Sequence, residues 1–287
     1  MRKSNEIKRI AAIHDLSGVG KCSMTVALPV ISASGVECAC MPTAILSTHT
    51  AVFTGYTVRD LSDDMLPMAR HWKKENIGFD GLYSGYMVSP AQGEIISECF
   101  DILSNEDTLI IVDPVMADNG QYYAGMGDEM CQAFKKLCAR ASIITPNVTE
   151  ACYLTDTEYV DGIHSEEYIN TLVKKLGGLG AETVILTGVC PQEGKIGNVA
   201  LDVKSGEIVC RYYERLETLY HGTGDLFGSA LSALLVRGAS LDTAIDSASF
   251  LVMEAMKLSE EQNIPSHMGV NFENVLPAYV ARINKLF

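Results

Sequence analysis

No stretch of this chain approaches the roughly 20 consecutive apolar residues that a membrane-spanning helix needs, so a helical membrane protein is not expected. The opening MRKSNEIKRIAAIHDL starts basic, but Lys8 and Arg9 interrupt its short apolar part. It does not read as a secretory signal, and a cytoplasmic protein is expected. Basic residues are few, 22 against 36 acidic ones, giving a net charge of -14 and a pI near 4.8. That balance has the wrong sign for following a phosphate backbone, so nucleic acid is not an expected partner. The 9 cysteines are odd in number and contain no C-x-x-C pair, which argues against a disulfide framework or a zinc site. They read mostly as small core residues. An internal repeat, a low-complexity tract and a Pro/Gly/Ser-rich linker are also missing, leaving residues 1–287 as one expected domain.

What the chain does have is 47% apolar residues and a mean hydropathy of +0.13, enough for a sizeable core. Apolar, β-branched runs at 9–16, 36–46, 80–87, 108–115, 141–147 and 181–189 read as strands. Helical patterns at 23–34, 61–76 and 91–104 lie between them, and Pro29 is expected to kink or interrupt the first. Strands spaced by helices imply right-handed βαβ units, hence an α/β fold with a mostly parallel central sheet and helices on both faces. Residues 195–203 and 207–216, joined by KSGE, read instead as an antiparallel hairpin at the sheet edge. Beyond it, Leu226, Phe227, Ala230, Leu231 and Leu234 form a helical stripe stopped by Gly238, and Ser240 caps another helix. The polar, Gly-rich stretch 116–127 reads as a long loop able to serve as a lid.

Two glycine-rich turns could hold phosphate. HDLSGVGKCS at 14–23 fails as a Walker loop, because Asp15 stands where glycine is required and Cys22 where Ser or Thr would reach magnesium. It also fails as a dinucleotide turn, with Ser23 in the third glycine place. The later stretch LYHGTGDLFGSAL, residues 219–231, opens a helix with Gly222, Thr223, Gly224 and Asp225. Glycines admit close backbone approach, and the free N–H groups of a helix start attract anions. Asp225 is then either a plain helix cap or the base that takes a proton from an alcohol while those N–H groups stabilise a transferring phosphoryl group.

Further polar residues stand at the carboxyl ends of strands, where parallel-sheet enzymes keep ligands: Asp113, Asn147 with Glu150, and Thr187. Each has a bland alternative as turn residue, cap, first-turn acid or strand-end hydroxyl. Together, two carboxylates and an amide suit Mg²⁺ that keeps its waters beside phosphates.

With IHDLSGVG at 13–20, LSTHT at 46–50, SGYMVS at 84–89, DPVM at 113–116, NVTE at 147–150 and GTGD at 222–225, nearly the whole chain resembles the ribokinase superfamily. It is most similar to the bacterial pyridoxal/pyridoxamine kinases. The resemblance implies an ATP-dependent kinase acting on the 5-hydroxymethyl group of a B6 vitamer, with Asp225 as base and Gly222, Thr223 and Gly224 as anion hole. By the same resemblance Asp113 and Glu150 organise Mg²⁺, largely through water. Asp113, Thr145, Asn147, Glu150 and Thr187 attend ATP, and a monovalent cation such as K⁺ is an added cofactor. Asp15, Thr50 and Tyr86 would face the pyridine ring, with Ser17 and His49 as neighbours. The 116–127 segment would cover the site, and a homodimer is expected. An aromatic wall for the ring would come from Tyr86 or Phe53.

The chain also departs from that pattern. Relatives acting on pyridoxal often carry I-Q-S-H where this chain has Ile13-His14-Asp15-Leu16. Aspartate followed by Ser17-Gly18 is closer to hydroxymethylpyrimidine kinases, which makes that activity the near alternative. Some related pyrimidine and dual-specificity kinases end their GTG motif in cysteine, whereas Asp225 leans toward vitamin B6. A sugar kinase, and a nucleotide-binding regulator without turnover, are the remoter readings.

Overall fold

Strict side-chain alternation builds the central layer. In β1 (Arg9–Ser17) Ala11 and Ile13 pack into one core while Ile10 and Ala12 pack into the other, so the strand is buried on both faces. β4 (Gly81–Ser84) and β5 (Leu109–Val112) divide in the same way, Leu82 and Val112 to the first core, Tyr83 and Ile111 to the second. The computed structural model describes residues 7–287; the basic opening at 1–6 lies outside them.

The remaining main-sheet strands are β2 (Glu37–Leu46), β3 (Val58–Asp60), β8 (Ile143–Ile144), β9 (Thr183–Val189), β10 (Lys195–Asp202) and β11 (Ile208–Glu214). A separate pair, β6 (Ala117–Asp118) and β7 (Gln121–Tyr122), forms a small hairpin. Among the described residues the main sheet has nine strands in the order β11-β10-β9-β8-β5-β4-β1-β2-β3. β9, β8, β5, β4, β1 and β2 run parallel. The 195–216 hairpin lies at one edge, antiparallel to β9, as its sequence suggested. The other edge carries β3, antiparallel to β2, which the sequence pattern did not reveal.

One core is covered by α2 (Ser62–Lys74), α3 (Pro90–Leu103), α4 (Asp128–Cys138), α5 (Val148–Thr155) and α6 (Glu166–Gly177). The other is covered by α1 (Met24–Ala33), α7 (Thr223–Val236), α8 (Leu241–Glu261) and α9 (Leu276–Ile283). Pro29 does not interrupt α1, because its missing N–H forfeits one bond while Val26, Ala27, Val30 and Ile31 bury the helix on both sides of it. No described helix is long and apolar enough to cross a membrane.

The packing leaves little slack where α7 crosses β4. A Cβ on Gly81 would stand 2.8 Å from Val236 Cγ2 and 3.1 Å from Ile10 Cγ1. Gly81→Ala is therefore expected to cost about 1–3 kcal/mol of stability by overpacking, measured as a lowered midpoint in urea.

The strands are shorter than the apolar runs around them. β4 stops at Ser84, β5 at Val112 and β8 at Ile144, where the chain turns away to release Gly85, Asp113 and Thr145. These endings form the rim of the site.

Candidate active site

A cavity of about 360 Å³ opens at the carboxyl ends of the parallel strands. Asp113, Thr145, Asn147, Glu150, Thr187 and Gly222–Asp225 line it together, although more than 100 positions separate the first from the last.

α7 positions the glycine turn. Gly222 is its N-cap, with φ of 77°, and a Cβ there would collide with the Lys21 carbonyl. Gly224 differs: its φ is ordinary, and a Cβ would meet nothing within 4 Å. Nothing in the ligand-free protein demands glycine at 224. The first-turn N–H groups of α7 have no carbonyl of the helix to accept them, and a helix start of this kind suits an anion. Asp225 follows in that turn with 13% of its side chain exposed. Burial pushes its pKa up to about 7, Ser23 N–H donating to it opposes the rise, and the Asp15 charge adds to it. The donor comes from a strained turn, since Lys21 and Ser23 both have φ of 51°. Such strain persists where surrounding structure enforces it, typically at functional sites.

Asn147 and Glu150 form a capping box on α5. Glu150 N–H donates to Asn147 Oδ1 at 2.9 Å, and Asn147 N–H donates to Glu150 Oε2 at 2.9 Å. Met116 N–H donates to the other Glu150 oxygen at 3.1 Å. The cap reading of these residues is thus realised, and the same bonds aim the carboxylate. Burial raises the pKa of Asp113, and the nearby Asp225 charge raises it further; burial and Asp113 do the same to Glu150. Five carboxylates line the pocket, Asp113, Asp118, Glu150, Asp161 and Asp225, and with Arg215 the only lysine or arginine on its described lining they call for an added cation. The described residues hold no group of three or more His, Cys, Asp or Glu that could bind a metal by themselves. A water-mediated Mg²⁺ shared with phosphates fits this sparse donor set.

Within the 116–127 stretch read as a long lid loop, residues 117–122 form a tight hairpin. Asn119 and Gly120, with φ of 51° and 75°, turn β6 into β7. Thr149 Oγ1 accepts from Gly120 N–H at 3.0 Å, and Asn147 Nδ2 donates to the Ala117 carbonyl at 2.8 Å. Pinned to α5, the hairpin forms one wall of the cavity through Asp118, Asn119 and Tyr123. Apolar side chains also line the cavity, among them Ile196, Leu216, Val252, Met253 and Met256. None of these residues, nor Arg215 or His221, belongs to a motif that marks a ligand site, and Val252 reads in the sequence as part of a helical core stripe.

Asp15, Ser17, His49, Thr50 and Tyr86 do not line this cavity. Asp15, Ser17 and Tyr86 are instead linked to one another and to Asp225. Ser17 Oγ donates to Asp15 Oδ2 at 2.7 Å, burial raises the Asp15 pKa, and the Asp15 charge is felt at Asp225 and at the Tyr86 hydroxyl. Tyr86 is pushed up to about 12, by burial first. His14, fully buried, sits with Nδ1 4.0 Å from Asp225 Oδ1; neither ring nitrogen has a hydrogen-bond partner, and burial holds its pKa down at about 3. It stands beside the carboxylate as a neutral imidazole.

A mostly parallel α/β sheet, a glycine-rich helix start carrying a largely buried carboxylate, and a cavity lined by both carboxylates and apolar side chains are the features of an ATP-dependent small-molecule kinase. The phosphomethylpyrimidine kinase family profile matches residues 25–271, and the chain belongs to that family, within the ribokinase superfamily. The pyridoxine/pyridoxal/pyridoxamine kinase of Bordetella avium is 26% identical over 253 residues, 83% of this chain and 80% of that protein. The crystal structure of pyridoxal kinase from Lactobacillus plantarum superposes with a TM-score of 0.88 at 30% identity, covering 98% of this chain and 99% of that one. A Bacteroides thetaiotaomicron protein given the same family description, crystallised in a form with pyridoxal, superposes with a TM-score of 0.89 at 33% identity, covering 96% of each chain.

Proposed function

We propose that this kinase transfers the γ-phosphoryl group of ATP to the 5-hydroxymethyl group of a B6 vitamer, pyridoxamine, pyridoxal or pyridoxine, giving the 5′-phosphate and ADP. One observation carries the reading: Asp225, in the first turn of α7, both lines the carboxylate-rich cavity and feels the charge of Asp15. The Asp225 carboxylate takes the alcohol proton as the alcohol oxygen bonds to the γ-phosphorus. The bond from that phosphorus to the bridging oxygen breaks, and the electron pair leaves with ADP. The N–H groups at Gly222, Thr223 and Gly224 stabilise charge on the transferring oxygens.

In this reading Thr145, Asn147 and Thr187 lie along the phosphates and the apolar lining of Ile196, Val252 and Met256 takes the flat base. Asp113 and Glu150 hold Mg²⁺ through water, and the ion, when bound with nucleotide, neutralises the charge that this acidic pocket would otherwise repel. Asp15 pairs with a protonated ring nitrogen or accepts from an amino group, near Ser17, Thr50 and Tyr86. The Glu150→Gln variant keeps size but replaces one carboxylate oxygen by an amide N–H₂, which cannot accept one of the two backbone N–H bonds. It is expected to raise the Mg²⁺ concentration for half-maximal rate severalfold and to cost about 1–3 kcal/mol of stability; a magnesium titration and a thermal melt measure both.

The aspartate at 15 followed by Ser17-Gly18, together with the family match, favours a second reading as a hydroxymethylpyrimidine kinase. ATP consumption measured with each vitamer and with hydroxymethylpyrimidine separates the two. Turnover of B6 vitamers supports the first, and turnover of the pyrimidine alone overturns it.

A further inference from the structure

His49 stands where a ligand contact was expected, yet both of its ring nitrogens are engaged inside the protein. Ala51 N–H donates to Nδ1 at 3.2 Å, and Nε2 lies 2.7 Å from the His267 carbonyl oxygen. A carbonyl only accepts, so Nε2 carries the proton and Nδ1 is bare, the neutral Nε2–H tautomer. Only 6% of the residue is exposed, and no nitrogen remains for a substrate.

The ring is instead the meeting point of three segments. It fills the space over Gly20, whose φ is 118° and where a Cβ would collide with it. The 265–269 segment closes on the same turn: Gly269 has φ of 77°, and a Cβ there would come within 2.7 Å of the Gly20 carbonyl oxygen. Lys21 Nζ pairs with Glu273 at 2.8 Å, tying the turn to the same C-terminal segment. Phe53 wedges edge-on between the His49 ring at 4.9 Å and the His267 ring at 5.6 Å. His221, directly before the anion-site glycine, has its ring 5.2 Å from His49, and its N–H donates to the Ser266 carbonyl at 3.4 Å. The backbone N–H of His49 donates to the Val19 carbonyl at 3.2 Å, which ties this junction to the turn that follows Asp15 and Ser17.

We infer that His49 is a positioning residue: it latches the C-terminal segment 265–273 to the 47–57 loop, making that segment the outer wall of the acceptor pocket and fixing it against the anion-site turn. The inference rests on the kinase reading above for what the pocket holds, and on hydrogen bonds for the latch itself.

Hydrogen exchange of the ligand-free protein, read on peptides spanning 265–273, tests the latch without any substrate. His49→Leu is expected to speed that exchange about tenfold or more, to raise the KM of the B6 acceptor about tenfold, and to leave ADP affinity and the KM of ATP within about threefold. His49→Gln, whose amide N–H₂ can still donate to the His267 carbonyl, should restore most of both losses. Phe53→Ala removes the wedge and leaves the His49 bonds, so it should loosen the same peptides to a smaller degree, and it serves should His49→Leu not fold. A raised acceptor KM with unchanged exchange at 265–273 would make His49 a plain substrate contact and overturn the latch. Unchanged exchange in every variant would overturn it equally. Absence of B6 turnover in the unaltered protein would count against the substrate assignment and leave the exchange result to decide the latch.

Discussion

Replacing Asp225 by asparagine is expected to lower kcat by about 10²-fold or more while ADP affinity stays within about threefold. The substitution keeps size and an oxygen that can accept from Ser23 N–H, so the turn should persist. What goes is the lone pair that receives the alcohol proton. Titration gives the same residue a second signature. With its pKa raised to about 7, mainly by burial, Asp225 is largely protonated at pH 6 and ionised at pH 8. A base must be ionised to act, so kcat/KM should rise with pH through about 7 in the unaltered protein, and the residual activity of Asp225→Asn should lack that limb.

Stability should move the other way. A carboxyl whose folded pKa lies above its ordinary 3.8 holds its proton more tightly when folded. Stability therefore falls as pH climbs from about 4 to about 7, and the loss is constant above that. Asp225→Asn escapes the penalty and should be more stable than the parent at pH 8 but not at pH 4. The gain is on the order of 1–3 kcal/mol, held down because solvent reaches 13% of the side chain. Urea denaturation at the two pH values checks it. A more stable, nearly inactive protein is the expected mark of a charge kept buried for function.

Gly224→Ala should separate activity from folding just as sharply. With ordinary φ and open space where a Cβ would stand, the ligand-free helix gains from alanine, by about 0.5–1 kcal/mol. Activity should nevertheless fall by about 10²-fold, because the methyl group stands where the phosphoryl oxygens must approach the N–H donors. The loss should appear mainly in kcat, since charge on those oxygens grows in the transition state. Gly222→Ala offers the contrast: there the left-handed φ and the Lys21 carbonyl make alanine costly to the fold itself. Rate assays beside thermal melts of the two variants distinguish the roles.

These two glycines also show how far local pattern reaches. Glycine at both positions is visible in the sequence, but its reason is not, because Lys21 is some 200 positions away. Strands with apolar residues on both sides, such as β1 and β9, stand out as runs, and the edge hairpin is marked by its KSGE turn. β3 has three exposed residues and no periodicity, so nothing local announces it. The 116–127 stretch looked like free loop because polarity and glycine mark both loops and tight turns; its Asn119-Gly120 pair was the hairpin signal that could have corrected the reading. The strand-end polar residues were legible because topology forces strand ends to one edge. The apolar lining of the cavity, Arg215 and the His267 segment were not, since Val252 and Met256 look like any core-facing helix residues. The engagement of both His49 nitrogens depends on a backbone carbonyl, which no side-chain pattern encodes.

The most direct test of the account is a crystal structure with ADP, Mg²⁺ and pyridoxamine bound together. The expected result is the vitamer's 5′-oxygen within about 3.2 Å of an Asp225 carboxylate oxygen, facing the space between the Gly222–Gly224 N–H groups and the β-phosphate. A vitamer whose 5′-oxygen points away from Asp225, or a nucleotide whose phosphates do not reach the start of α7, would contradict it.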